Sequence, residues 1–190
     1  MYKPKSTSAG EPHWIELDEL RSGLMPAQMS AWLRDTGSLT RAVTSACPGC
    51  FGLAVQSQGW GRALPSERSL LAVRAGMLSL VREVELQCDG QPWVFARTLI
   101  PASSLRGSAR RLAHLRSRPL GAVLFSDPAT RRLGVQVARL NAQHRLYHAA
   151  CSHLVDPPAE IWGRRTLFSY GGKRLLVNEI FLPTIAAYRA

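Results

Sequence analysis

With 190 residues, 46% of them hydrophobic and 19% charged, the chain has the size and composition of a single globular domain. It has no apolar run of about 18 residues and no apolar core of a secretion signal, so we expect no membrane span and a cytoplasmic location. The net charge of +11 is spread along the chain without an aromatic-interleaved RNA motif, which indicates an arginine-rich surface or a field that steers a small anion, and no nucleic-acid partner.

The first part of the chain has few regular patterns. Residues 1–12 are predicted to form a loose tail ahead of a single domain over 13–190. A helix is predicted over 25–35, where a proline suits the first turn and apolar residues recur on one side. Apolar stretches predict short strands over 51–56 and 70–74.

The clearest element is a β-hairpin. A strand is predicted over 78–88, Asp89-Gly90 suits a two-residue turn that needs positive φ twice, and the chain returns over 93–100. Pro92 at the entry of the second strand indicates an edge or a bulge.

Two helices and a strand are predicted after this hairpin. A serine at 103–104 caps a helix that runs to about 115, and a short helix begins at Pro119. Residues 132–140 have strand-like alternation, and the less regular segment 141–159 is predicted to be an inserted loop or short helix.

A second hairpin closes the sequence. It consists of a strand over 162–170, a Gly171-Gly172 turn and a strand over 174–182. Antiparallel strands with helices inserted between them, and no alternation of single strands with helices, are typical of an α+β fold.

Two charged residues interrupt the apolar faces of these hairpins. Because side chains alternate along a strand, Arg82 and Glu179 should both point inward. An unpaired buried charge costs several kcal/mol, so they form a structural salt bridge, reach solvent through irregular strands, or line a pocket for an anionic ligand. We favour the pocket, because Pro119-Leu120-Gly121 opens a helix whose free N–H groups suit a carboxylate. Arg97 is a weaker second anchor.

The four cysteines allow several interpretations. Cys47-Pro-Gly-Cys50 has the spacing of a redox pair but lacks the strand and helix that such a motif joins. A zinc site would need further ligands from a distant segment that contains His144, His148, Cys151 and His153. We expect ordinary, reduced loop thiols and no bound metal.

The charged strands belong to a wider set of short motifs. The motifs are Leu80-Val81-Arg82-Glu83-Val84, Asp89-Gly90-Gln91-Pro92-Trp93, Ala96-Arg97-Thr98, Pro119-Leu120-Gly121, Trp162-Gly163-Arg164-Arg165 and Asn178-Glu179-Ile180-Phe181-Leu182-Pro183. In this order and spacing, from about 32 to 183, they resemble the chorismate pyruvate-lyase family, small bacterial enzymes that make 4-hydroxybenzoate for ubiquinone. The Trp-Gly-Arg-Arg and Glu-x-Phe-Leu-Pro motifs make the match fairly specific.

The resemblance implies a fold and a reaction. The fold is a six-stranded antiparallel sheet with helices packed on one face and a buried ligand cavity between the sheet and helical flaps. The reaction is the conversion of chorismate to 4-hydroxybenzoate and pyruvate by a monomer without a cofactor. The ligand contacts carried over are Leu39, Arg82, Leu120 and Glu179, with Leu39 in place of the family's methionine. The long N-terminal tail and the extra residues around 141–158 depart from the family pattern.

These contacts suggest roles in the reaction. We predict that Arg82 holds a substrate carboxylate and that Glu179 meets the ether or hydroxyl end. Burial among apolar residues favours a neutral Glu179 that acts as an acid or hydrogen-bond donor, whereas a nearby Arg82 opposes that form. A sealed pocket also predicts slow release of 4-hydroxybenzoate and inhibition by it.

The main alternative is a non-enzymatic binding domain. The effector-sensing domains of some bacterial transcription regulators are similar in fold to this family, but they normally follow a DNA-binding helix-turn-helix. Only about thirty residues precede the matching region here, which favours the enzyme. A basic nucleic-acid module is a third possibility, and it predicts steeply salt-dependent binding.

Overall fold

An antiparallel sheet forms the centre of the protein, in a computed structural model that describes residues 10–20 and 23–186. Its strands are β1 (Ile15–Glu16), β2 (Phe51–Arg62), β3 (Leu78–Cys88), β4 (Gln91–Pro101), β5 (Arg131–Leu140), β6 (Ile161–Tyr170) and β7 (Lys173–Phe181). Across these described residues the seven strands lie in the order β1-β5-β6-β7-β4-β3-β2, and every neighbouring pair is antiparallel. The predicted α+β class with a large antiparallel sheet is confirmed.

Helices pack on both faces of the sheet. The α-helices are α1 (Ala27–Arg34), α2 (Leu39–Ala46), α3 (Pro65–Leu71), α4 (Leu120–Leu124), α5 (Arg145–Cys151) and α6 (Pro183–Ala186). Three 3-10 segments lie at Leu17–Glu19, Ala102–Ser104 and Gly107–His114. Helices α1, α2 and α4 pack over the face that carries Arg82, and α3 and α5 cover the opposite face.

This arrangement corrects the expected sheet of six strands with helices on one face. The additional strand is β1, a two-residue segment at the sheet edge that is too short to give an alternation signal. The second face needs its own cover because it also carries apolar side chains, such as Leu176 and Ile180, both 0% exposed.

Both hairpin turns form as predicted. Asp89 and Gly90 have φ values of 49° and 75°, and Gly171 and Gly172 have values of 55° and 72°. Positive φ at both central residues is the type I′ geometry that matches the twist of antiparallel strands. The bulge predicted near Pro92 is confirmed as a register shift between Leu86 and Gln87.

Two helical regions differ from the prediction. The strand predicted over 70–74 is wrong, because the chain there ends α3. That helix begins with Pro65, and the Glu67 carboxylate accepts the Leu64 N–H at 2.8 Å, a start signal that outweighs the apolar run that follows. The helix predicted from 103–104 to 115 consists of two 3-10 segments.

Apolar contacts hold α1 and α2 against the sheet. Leu33 of α1, Val43 of α2 and Val94 of β4 are all 0% exposed within one cluster. Burial of each such side chain stabilises the fold by about 1.5–3 kcal/mol. The helices that precede and follow Asp35 to Ser38 are therefore fixed over the sheet.

The N-terminal end of the described region is attached to the domain. The Gly10 carbonyl accepts the Arg145 N–H at 3.0 Å, and the buried Glu11 carboxylate accepts the Ser66 N–H at 3.1 Å. Residues 1–9, most of the expected tail, lie outside the described residues. None of the helices in the described part of the chain is long and apolar enough to cross a membrane.

Candidate active site

A cavity lies between the sheet and the helices α2 and α4. All four predicted contact residues line it: Leu39, Arg82, Leu120 and Glu179. The rest of the wall is mostly apolar and includes Val84, Leu86, Ala96, Leu124, Phe125, Phe168 and Val177. The space free of protein atoms is about 620 Å³, including its opening to solvent. An apolar chamber with a few charged groups is typical of a site for a small organic anion.

Arg82 is a buried cation without a carboxylate beside it. The residue is 4% exposed, and its Nη1 donates to Gln58 Oε1 at 2.8 Å while its Nη2 donates to the Arg116 carbonyl at 2.6 Å. Among the described residues, no Asp or Glu oxygen lies within 4.0 Å of this guanidinium. Burial lowers the pKa of Arg82. Since a guanidinium has five N–H donors, most of its charge and several donors remain for a ligand.

The loop that receives Arg82 has a strained backbone. Arg116 has a φ of 51°, in the left-handed region that residues other than glycine seldom adopt. Such a conformation costs of the order of 1–3 kcal/mol. It turns the Arg116 carbonyl toward Arg82 and fixes the guanidinium at the cavity wall.

Glu179 pairs with Arg164 and not with Arg82. Arg164 lies opposite Glu179 on the neighbouring strand, is 1% exposed, and donates from Nε to Glu179 Oε2 at 2.7 Å. Its Nη1 donates to the carbonyls of Trp32 and Asp35 at 3.0 and 2.7 Å. The alternative of a direct Arg82–Glu179 salt bridge is therefore wrong, and Glu179 faces the cavity as the ionic partner of Arg164.

Arg132 is a further guanidinium in the cavity wall. Its Nη2 donates to the Gly37 carbonyl at 2.7 Å, and its Nη1 lies 3.5 Å from the Asp35 carbonyl. The guanidinium carbon lies 5.5 Å from the ring centres of both Phe125 and Phe168. Aromatic faces attract a cation, so the two rings hold the Arg132 side chain in one position.

The charge of Arg132 is not neutralised by an ion pair. No carboxylate oxygen of the described residues lies within 4.0 Å of its nitrogens, and its Nε is buried without a hydrogen-bond partner. Burial lowers the pKa of Arg132, the nearby Arg164 lowers it further, and Glu179 and Asp35 raise it. The charges of the Arg164–Glu179 pair therefore influence the pKa of Arg132, which lines the same cavity as Glu179.

Helices α2 and α4 meet over the cavity as two flaps. The Ser38 hydroxyl caps α2 by accepting the Arg41 N–H at 3.5 Å. A Cβ added to Gly121 in α4 would lie 2.9 Å from Ser38 Oγ, so a larger residue would displace the Ser38 hydroxyl from this position. Leu39 and Leu120, at the starts of the two helices, close the cavity from that side.

Comparison with known proteins assigns this architecture to a family. The family model described as chorismate lyase matches residues 10–189. The chain belongs to the chorismate lyase family.

The relatives in this family match nearly full length. A protein of Methylococcus capsulatus named probable chorismate pyruvate-lyase is 42% identical over 157 residues, which cover 83% of this chain and 96% of that protein. A protein of the same name from Azoarcus is 45% identical over 163 residues, covering 83% and 85%. Another from Pseudomonas aeruginosa is 40% identical over 177 residues, covering 90% and 92%.

Solved structures of other proteins share the fold at low identity. The gene product SA0254 of Staphylococcus aureus has a TM-score of 0.55 at 12% identity, covering 82% of this chain and 94% of that chain. PhnF of Mycobacterium smegmatis has a TM-score of 0.52 at 17% identity, covering 83% and 67%. A GntR-family transcriptional regulator of Bacillus cereus has a TM-score of 0.51 at 9% identity, covering 70% and 92%. The likeness is one of fold.

In this member of the chorismate lyase family, the weaker predicted anchor lies outside the cavity. Arg97 shares a face with Phe95 and Leu99, and that face is the one covered by α5 and α3. Its Nε lies 3.3 Å from Glu67 and its Nη1 lies 2.7 Å from Glu83. The expectation for Arg97 is wrong, because its apolar neighbours pack on the second face of the sheet.

The cysteines are not arranged as predicted. Cys47 at the end of α2 forms a disulfide with Cys88 at the end of β3, with a Cα separation of 5.6 Å. These residues are 41 positions apart, so the expectation of reduced loop thiols missed a contact that only the fold creates. Cys50 is exposed, and burial raises the pKa of the buried Cys151 to about 11.

The zinc alternative has no support in the described residues, where no three His, Cys, Asp or Glu side chains form a metal-binding group. Cys47 is disulfide-bonded to Cys88, and two of the histidines considered as further zinc ligands make other contacts. His144 Nδ1 accepts the Asn141 N–H at 3.0 Å, and His153 Nδ1 lies 3.2 Å from Glu85.

Two functional candidates were not predicted from the sequence. Arg164 belongs to the Trp-Gly-Arg-Arg motif, and the sequence does contain a signal for its position. Hairpin pairing across Gly171-Gly172 and strand alternation both place it opposite Glu179. No pattern in the sequence indicates the position of Arg132, because a register shift between Arg132 and Gly134 changes the face of the sheet to which its side chain points.

Proposed function

We infer that this protein is a chorismate pyruvate-lyase that converts chorismate to 4-hydroxybenzoate and pyruvate, the first committed step of bacterial ubiquinone biosynthesis. Family membership over residues 10–189 supports the reaction. The observation that carries the inference is a buried Arg82 without an acidic partner in the described chain, in the wall of an apolar cavity. A site of this kind retains its charge for an anionic substrate.

The reaction makes modest demands on the protein. The ether bond between the ring and the enolpyruvyl group breaks, the ring loses one hydrogen and becomes aromatic, and a proton ends on the methyl group of pyruvate. Since the gain of aromaticity drives the cleavage, the protein has to hold a dianion in one reactive conformation and exclude water. The cavity walls that could do this are apolar and include Leu39.

We assign the ring carboxylate to Arg82. The remaining guanidinium donors suit a charge-assisted hydrogen bond to a carboxylate. We assign a second hydrogen bond to the backbone N–H of Leu120, which lines the cavity at the start of α4. The same contacts suit the carboxylate of 4-hydroxybenzoate. Product retention and inhibition by 4-hydroxybenzoate follow from this assignment.

We assign the hydroxyl and ether end of the substrate to Glu179. With Oε2 held by Arg164, the other carboxylate oxygen is available to accept a hydrogen bond from the ring hydroxyl. The ion pair supports this acceptor role over the neutral acid that apolar burial alone suggests. Glu179→Gln tests proton transfer by the carboxylate, whereas Glu179→Leu tests the acceptor role, because an amide oxygen can still accept a hydrogen bond. Near-full turnover in either variant would exclude the role that the variant tests.

Turnover of chorismate without added metal or cofactor tests the whole proposal. Purified protein is mixed with chorismate in the presence of a metal chelator, and both products are quantified over time. Equal amounts of 4-hydroxybenzoate and pyruvate are expected. We further propose a cytoplasmic monomer that needs no cofactor and no nucleic acid.

A small-molecule sensor is the second candidate function. The fold likeness to a GntR-family transcriptional regulator favours it. It predicts that 4-hydroxybenzoate or a similar aromatic acid binds while chorismate stays intact.

A further inference from the structure

The charges in the cavity indicate a second anion subsite. We propose that Arg132 binds the carboxylate of the enolpyruvyl group and, after cleavage, the carboxylate of pyruvate. This inference rests on the proposed function, because chorismate carries two carboxylates whereas 4-hydroxybenzoate carries one.

The first support is the balance of charge. Arg164 is neutralised by Glu179 at 2.7 Å, whereas neither Arg82 nor Arg132 has a carboxylate within 4.0 Å among the described residues. Both of these unpaired guanidinium groups line one cavity. Two unpaired cations match the two charges of the substrate, while a site for 4-hydroxybenzoate alone requires one.

The second support is the order of the groups across the sheet. Glu179 lies on β7, Arg82 on β3 two strands to one side, and Arg132 on β5 two strands to the other side. Strands lie about 4.8 Å apart, so across the sheet Arg82 and Arg132 enter the cavity from either side of Glu179. Along the strands, Arg82 is level with Val177 and Arg132 with Leu175, so Glu179 lies toward one end of the cavity. Chorismate has the same order of groups: a ring carboxylate, then the hydroxyl and ether, then the enolpyruvyl carboxylate.

The third support is an unused donor on Arg132. Its Nη1 and Nη2 face the carbonyls of Asp35 and Gly37, but its buried Nε has no partner among the described residues. Buried donors without a partner are rare in proteins. A carboxylate would satisfy Nε after a small shift of the cavity wall, since the atom is closed to solvent in this structure, and the rings of Phe125 and Phe168 hold the guanidinium in place.

A purely structural role makes different predictions. The carbonyl contacts of Arg132 brace the loop before α2, which carries Leu39. If bracing were its only role, loss of Arg132 would weaken binding of 4-hydroxybenzoate as much as turnover of chorismate. A second subsite affects only the ligand that has a second carboxylate.

The experiment compares Arg132→Met with Arg131→Met, a matched control at an exposed neighbour that contacts backbone carbonyls. For each variant, kcat/KM for chorismate is measured by product formation, and the Kd of 4-hydroxybenzoate by calorimetry. We expect Arg132→Met to lower kcat/KM by about 10- to 100-fold, the effect of losing a charge-assisted hydrogen bond. The Kd of 4-hydroxybenzoate should change less than about threefold, as in the control.

Wild-type protein and a lysine variant keep the test decisive if Arg132→Met folds poorly. Wild-type protein saturated with 4-hydroxybenzoate should still bind pyruvate, and Arg132→Lys should weaken this binding, because lysine lacks the planar guanidinium. Competition between pyruvate and 4-hydroxybenzoate, or equal losses of turnover and 4-hydroxybenzoate affinity in the variant, would overturn the second subsite. Absence of turnover by wild-type protein would instead overturn the proposed function.

Discussion

Replacement of Arg164 by methionine should strongly destabilise the protein. Methionine keeps the aliphatic volume but removes the donors to Glu179, Trp32 and Asp35. Removing one partner of a buried ion pair costs about 3–5 kcal/mol. For a chain of 190 residues, each kcal/mol lowers Tm by about 2–4 °C, so we expect Tm to fall by roughly 6–20 °C.

An exposed ion pair between β5 and the residue that precedes β6 provides the control. Arg139 Nη1 lies 3.4 Å from Glu160, with both side chains more than half exposed. Such surface pairs contribute about 0–1 kcal/mol, so Arg139→Met should lower Tm by no more than about 4 °C.

Urea unfolding separates the contribution of the ion pair to stability from that of the carbonyl contacts. It is measured for both variants, for Glu179→Gln, and for the double variant Arg164→Met/Glu179→Gln. The double variant should lose less stability than the sum of the two single variants, because each single change leaves a buried group without its partner. If Arg164→Met were no less stable than Arg139→Met, the ion pair would not fix Glu179 in the way the geometry indicates.

Four further predictions concern ligand binding, the flaps, the reactivity of the thiols and the pH dependence of stability. Arg82→Met should abolish detectable 4-hydroxybenzoate binding in calorimetry yet raise the Tm of the ligand-free protein, because it removes an unpaired buried charge; a lower Tm with unchanged binding would contradict this. Gly121→Ala should lower kcat/KM several-fold, because the added methyl group pushes α4 away from Ser38. A wild-type rate of product formation in stopped assays of this variant would disprove the prediction. In unreduced native protein a thiol reagent should titrate Cys50 rapidly and Cys151 only on unfolding. Between about pH 9 and 11 the unfolded chain loses the Cys151 proton that the folded chain keeps, so this thiol should make stability fall as pH rises, and a Cys151→Ala variant should show a smaller fall.

The hairpins could be predicted from the sequence because their information is local. Asp89-Gly90 and Gly171-Gly172 specify the turns, and each turn fixes the register of its strands. Alternation then placed Arg82 and Glu179 on the face that lines the cavity.

Other features of the structure could not be predicted from the alternation of apolar and polar residues. The register shift beside Arg132 reverses its direction, so a strict two-residue period points it to the wrong face. The Cys47–Cys88 bond joins segments that only the folded sheet brings together. Helix α3 was missed because its apolar C-terminal residues resemble a strand, while its start depends on a single side-chain contact from Glu67.

The most direct test of the central claim is a side-by-side measurement of product formation from chorismate by wild-type protein and Arg82→Met, both with chelator and no cofactor. The account predicts equimolar 4-hydroxybenzoate and pyruvate from wild-type protein, and a rate at least about a hundredfold lower from the variant. Intact chorismate with wild-type protein, or equal rates from both proteins, would contradict it.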